Sequence, residues 1–499
     1  MEKKLKQIFT GIALGLALIL SLGAVALAGK SWGWYEKEPK PTLEALSFEE
    51  TGYGTYAVSL KDYEATEVVV PSKYNGKPVT EIVGREGLDL TMDTMNIVYE
   101  TDTADEIRTL LLDFAKTMSG DSGPGEFDTS GLEKGRMGFG LATNLKKITI
   151  PESVQVIGVN AFWGCCSLIE IELPKSIKEI GSNAFKYATS LERVQLPSKL
   201  EHCGARVFSY CMSLDKINIP QTEELPEDLF YECRALEEVT VPEGVKRLSE
   251  NVFRGCTGLK RVTLPETLKI IGYRSFYGCK ALTVLKMPAV LESCGADVFY
   301  GCESLLEINI PQMEELPSQM FYNCKALYKV TVPDGVKKIS RNAFSYCEAL
   351  REIVLPETLT EIGEYAFSSC NRLYSINMPA VLEVCGAGIF FGCTSLGRVN
   401  IPQMEVLPSR MFYNCKVLYK VILPEGVKTV SGSAFAGCKL LSEIVLPKTL
   451  TEIGDGAFTD CIKLATVYNL SGLELTAGAD TFGGVAKYAT NIYTELPAA

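Results

Sequence analysis

Histidine is almost missing from this chain of 499 residues, which has only His202. A single imidazole argues against His-based triads and His-rich zinc sites. No Cys-x-x-Cys pair occurs among the 17 cysteines, so the usual zinc-finger spacing is absent too. G-x-S-x-G, a phosphate loop and H-E-x-x-H are also lacking, which removes the motif-bearing hydrolases and nucleotide enzymes. Positive charge is scarce as well: 49 Lys and Arg stand against 61 Asp and Glu, a net charge of −12. Such a chain lacks the term that neutralises phosphates, so nucleic acid is excluded as a partner. No cofactor, metal or catalytic residue is assigned. Glu170 and Glu172 share a strand face, but a glycosidase pair needs a cleft that an open sheet does not offer.

What the chain has in excess is repetition. Phenylalanines stand at 139, 162, 185, 208, 230, 253, 276, 299, 321, 344, 367, 390, 412, 435 and 458. Their spacing is 23, shortened to 22 before 230, 321 and 412, and a period in the twenties marks a solenoid. After each Phe the chain alternates. In Leu327-Tyr328-Lys329-Val330-Thr331-Val332-Pro333, the apolar residues point one way and Lys329 and Thr331 the other. Proline, with no N–H to donate, then ends the strand. Stacked coils pair such strands in parallel and share a core that no single coil could build. About 15 coils of 22–23 residues are expected. A longer period of 91 relates Phe162, Phe253, Phe344 and Phe435, so the array was built from copied four-coil blocks. Copied carboxylates such as Glu223, Glu314 and Glu405 therefore lie four coils, about 19 Å, apart and cannot meet on one bond.

The ends read differently. Lys3, Lys4 and Lys6 precede an uncharged apolar run and Ala26-Leu27-Ala28, the pattern of an export signal over 1–28. Its removal takes away three lysines and Glu2 and leaves a net charge of −14. An uncleaved anchor is the other reading of the same run, with Trp32, Trp34 and Tyr35 at the interface. It is the only membrane contact expected, and both readings place the chain outside the cytoplasm, secreted or at the cell surface. Residues 29–45 read as a linker and 46–140 as a capping region and first coil. Asn75-Gly76 there marks a hairpin between strand-like runs. That coil is interrupted by an insertion over 88–136, in which Thr103 to Met118 has capped helical spacing. The array then runs over 139–470 and a C-terminal cap over 471–499.

The run LREIVLPETLTEIGEYAFSSC, Leu350 to Cys370, resembles the BspA-type leucine-rich repeat. The resemblance covers about Glu67 to Tyr493 outside the insertion. It implies a leucine-rich-repeat solenoid: a curved, β-rich array with short helical or irregular convex segments. It also implies an exported binding protein, acting in adhesion or recognition, with a host or microbial surface protein or glycan as partner. A structural envelope scaffold without a specific ligand is the alternative; a glycan-active enzyme is a third reading.

The repeat residues define the coil, so specificity must lie between them. Tyr328, Lys329, Thr331, Tyr374, Tyr419 and Lys420 are the ligand-binding candidates on the exposed strand face, because Tyr beside Lys suits protein or glycan contact. Asn218, Asn309 and Asn400 recur on the same face and join them. Trp163, Tyr277, Tyr300, Tyr322, Phe391 and Tyr413, each directly after a repeat Phe, are expected to pack at the corner. Thirteen cysteines stand three residues after a repeat Phe, as a ladder of small buried thiols rather than a disulfide framework. Titration in denaturant without reductant is expected to count most of the 17 thiols as free; recovery of only a few would restore the disulfide reading.

Overall fold

The computed structural model describes residues 40–83 and 139–496. The leader, the linker up to 39 and the helical insertion lie outside the described residues. The chain divides into two compact units, Met1–Thr42 and Leu43–Ala499, and the second holds every strand described here.

That unit is a parallel β-solenoid of about 17 turns. Each coil has two strands, so two ladders run along it. The first is built from the segments after the cysteines: Glu67–Val69, Lys147–Thr149, Glu170–Glu172 and so on to Thr466–Asn469 and Asn491–Tyr493. In the three-residue strands before the last, the middle residue is buried and its neighbours face out, as in Lys329–Thr331. The second ladder is made of shorter strands beyond the proline, such as Val156–Ile157, Glu179–Ile180 and Lys338–Ile339. Registers are strictly coil to coil: Lys329 faces Glu352, and Lys338 faces Glu361. The convex segments are thus turns and two-residue strands. Among the described residues the helices are two three-residue 3-10 turns, Leu43–Ala45 and Phe482–Gly484. Ala45 is buried, so the folded unit begins inside the expected linker.

The third side of the coil is a turn centred on Phe. Two residues with positive φ bracket it, as Asn342 and Tyr346 bracket Phe344. Such corners favour Asn and Gly, and these residue types recur there. The fifteen rings form an unbroken buried column, with centroids 5.1–5.9 Å apart from Phe139 to Phe458. Beside it, each of the thirteen ladder thiols donates to the carbonyl of the Phe in the preceding coil, at Sγ···O distances of 3.0–3.3 Å. The same carbonyl accepts its own coil's Cys N–H, as Phe321 does from Cys324. A thiol therefore satisfies a second lone pair inside a dry corner, which alanine could not. All 17 cysteines are free.

The ends extend the array. Lys73–Tyr74 and Lys77–Ile82 form the expected hairpin, with Asn75 and Gly76 both at positive φ. Tyr56–Leu60 continues the second ladder, and Leu46–Glu50 adds an antiparallel strand at its edge. Glu67–Val69 pairs with Lys147–Thr149 although Lys147 lies 80 positions after Glu67, so the length beyond the usual 22–23 is accommodated within one coil. At the other end Asn491–Tyr493 pairs with Thr466–Asn469, adding a coil where the sequence reading placed only a cap. Phe482 is only partly buried there and does not continue the Phe column, while Val485 fills the buried cysteine position.

Burial pushes the ladder thiols up, to about 12 for Cys393 against an ordinary 9.0. The unfolded chain therefore releases these protons first. Stability should hold below pH 9 and fall as pH rises from 9 toward 12. Thermal unfolding across that range is expected to show a steep drop in Tm, much reduced in a chain with several ladder cysteines replaced by alanine; equal slopes would refute the ladder's role.

Candidate functional site

The outward side of the first ladder is the widest exposed face with varied side chains. Stacking sets its geometry. Residues at equal coil positions form columns, with neighbours about 4.8 Å apart. Toward the N-terminal end the columns are charged: Lys147, Glu170, Glu172, Arg193, Lys216, Glu238 and Arg261. Arg261 meets Glu238 at 3.0 Å and Arg193 meets Asp215 at 3.8 Å. The depression over Glu170, Glu172, Arg193 and Gln195 holds about 470 Å³ and opens on solvent, not a closed cleft for acid–base chemistry.

Toward the C-terminal end the face changes character. Tyr374 is 64% exposed, Ile422 59%, Tyr419 46%, Val354 46% and Tyr328 41%. Thr331 is exposed between them. Lys329 bridges to Glu352 at 3.1 Å and Lys420 to Glu443 at 2.7 Å, each to the next coil. The Glu443 bond holds the Lys420 ammonium above its ordinary value. Tyr328 donates its hydroxyl to Glu307, which pushes its own titration up. These exposed pairs tie neighbouring coils together and contribute little stability each. The tyrosine and lysine candidates and Thr331 thus lie on one face, from Tyr328 to Ile422.

The three asparagines do different work. Asn309 donates to the carbonyl of Met287 at 3.0 Å and accepts the Met287 N–H at 2.9 Å. Asn218 treats Leu196, and Asn400 treats Met378, the same way. An Asn amide carries the donor and acceptor of a peptide group, so it substitutes for a missing ladder residue. It is needed because these are the 22-residue coils. Only eight residues separate Lys216 from Glu224, against nine from Arg193 to His202. The main chain leaves the ladder early, and the side chain completes it. Asn218, Asn309 and Asn400, expected as recognition residues, thus carry a structural role as well: they complete the ladder.

The short coils have a second effect that the sequence reading missed. All breaks of the second ladder fall at them: after His202–Cys203, Ser293–Cys294 and Val384–Cys385. Openings of about 740 Å³ and 770 Å³ lie at the first two. The signal was the shortened spacing together with the block-spaced cysteines. Elsewhere on this side Glu223, Glu314 and Glu405 pair with Lys246, Lys337 and Lys428 of the next coil at 2.8, 3.3 and 2.8 Å. No cluster of metal-ligating side chains occurs among the described residues. The corner aromatics stack on one another, Tyr277 on Tyr300 and Tyr300 on Tyr322, both at 4.6 Å.

Two parallel ladders joined by a Phe turn around a shared core define a leucine-rich-repeat solenoid. The family model for the BspA type leucine rich repeat region matches residues 135–228, 223–351 and 337–465. The chain belongs to that family. Among solved structures, a leucine-rich repeat protein from Bacteroides ovatus is 25% identical, covering 87% of this chain and 94% of its own, with a TM-score of 0.53. A leucine rich cell surface protein from Faecalibacterium prausnitzii is 21% identical over 93% of this chain and all of its own, with a TM-score of 0.41. No curated protein matches the chain.

Replacing Asn309 by alanine leaves the Met287 N–H and carbonyl without these bonds. A loss of about 1–3 kcal/mol is expected in denaturant unfolding, with ligand capture unchanged. An unaltered midpoint would refute the structural role of Asn309.

Proposed function

We propose that this is an exported binding protein that recognises a protein or glycan of a host or microbial surface through its first-ladder face, and that it carries out no chemistry. The observation behind this reading is the stretch from Tyr328 to Ile422. There three short groups of paired strands hold exposed tyrosines and β-branched side chains beside lysines. A soluble face with no partner gains nothing from Tyr374 and Ile422 at such exposure, whereas interfaces are enriched in Tyr and depleted in paired charges at their centres. A strand-borne side chain also pays little ordering entropy on binding. Export rests on the leader pattern of residues 1–28, and adhesion on the family resemblance. The absence of a closed cleft around Glu170 and Glu172 supports binding over hydrolysis.

The test is a glycan and matrix-protein array probed with the chain and with a triple variant, Tyr328→Ala, Tyr419→Ala and Lys420→Glu. A ligand captured by the first and weakened at least about tenfold in the second is expected, a cost of about 1.4 kcal/mol. Unchanged capture by the variant would sink the surface assignment, and turnover of any polysaccharide would replace binding by catalysis.

A further inference from the structure

The face from Tyr328 to Ile422 has a periodicity of its own. The residue just before each strand reads Tyr328, Arg351, Tyr374, Gly397 and Tyr419 in five successive coils. The tyrosines fall on alternate coils, about 10 Å apart, and span about 19 Å. Block copying does not account for this. Tyr419 is the copy of Tyr328 at a distance of 91, but the block equivalent of Tyr374 is Thr283. Tyr374 breaks the inherited pattern and completes an even two-coil spacing. None of the three rings stacks on another among the described residues, unlike the corner tyrosines, whose faces cover one another.

Charge alternates with the rings. Arg351 stands between Tyr328 and Tyr374, and Arg398, one position further into its strand, between Tyr374 and Tyr419. Both are exposed, and neither has an ion-pair partner among the described residues, whereas Lys329 and Lys420 are paired. Over these five coils the columns carry Lys329, Arg351, Arg398 and Lys420 against Glu352 alone, in a chain whose net charge is −12. Asn377 adds an exposed amide in the middle.

We propose that this stretch is a track for an extended acidic polysaccharide, whose disaccharide repeat matches two coils. This deepens, and rests on, the reading of the first-ladder face as the binding surface. Each tyrosine would meet the apolar face of a sugar ring, and each unpaired arginine the carboxylate of the next sugar in a two-pronged hydrogen bond. A linear ligand with its own repeat makes use of evenly spaced sites; a folded protein partner has no such repeat.

The test uses the full-length chain and a panel of linear uronic-acid polysaccharides: hyaluronate, chondroitin, alginate and polygalacturonate. Chitin oligosaccharide serves as the neutral control. At least one acidic member should bind while chitin does not. Affinity should climb with oligomer length until the ligand spans Tyr328 to Tyr419, then level off, and it should fall with added salt. Arg351→Gln with Arg398→Gln, and separately Tyr374→Thr, should each weaken binding about tenfold or more while the denaturant midpoint stays put. No binding across the panel, equal binding of chitin, or indifference to the arginine pair would overturn the proposal. If the array then shows a captured protein that the Tyr328, Tyr419 and Lys420 variant loses, the glycan track falls and the sheet-face reading stands. If nothing is captured at all, both fall.

Discussion

The structure depends on one constraint: no coil can satisfy its own corner. Each Phe ring packs between the rings above and below it, and the carbonyl of a ladder Phe such as Phe299 or Phe321 takes its second bond from the thiol of the next coil. Stacking is therefore obligatory, and stability accumulates along one dimension. The two β-ladders follow from the same stacking, because coils held in register at the corner bring their strands into parallel pairing. Irregular chain lengths are tolerated only where they leave the corner untouched. The 79 residues between Glu67 and Lys147 obey this rule, since pairing resumes in register on the far side.

The thiol ladder shows how residue chemistry answers to that constraint. Serine would carry a hydroxyl with a larger desolvation cost, and alanine would leave the Phe carbonyl with one bond; cysteine is small, apolar and a weak donor. Burial also keeps the thiol protonated, which removes the thiolate needed for exchange or oxidation. The thirteen unpaired ladder cysteines are thereby reconciled with an export pattern: the fold buries the thiols it depends on.

Function is then left to residues outside the corner and core. Among the described residues the depression over Glu170 and Glu172 opens on solvent, while Glu238, Glu352 and Glu443 are tied to lysines and arginines of adjacent coils and Glu307 to Tyr328. An open and periodic surface suits recognition of something extended. The change from charged columns at Lys147 to Arg261 to tyrosines and β-branched residues at Tyr328 to Ile422 gives that surface a direction.

Much of this was legible in the sequence. The Phe spacing, the alternation in Leu327 to Pro333 and the Asn75-Gly76 turn are local signals, and each depends on contacts within one coil or with its neighbour. The family followed from the same residues. Two features were not legible in advance. Asn309 sits on the exposed face like Thr331, and only the three-dimensional path of a coil one residue shorter shows that its amide replaces a peptide group. The second ladder and its breaks at Cys203, Cys294 and Cys385 likewise depend on how the segment beyond each proline meets the next coil. Composition and period thus determine that the chain must stack, because burial and strand pairing repeat with the sequence. Which outward side chains complete the fold and which stay available to a ligand was decided by tertiary structure, because that depends on hydrogen bonds made between coils.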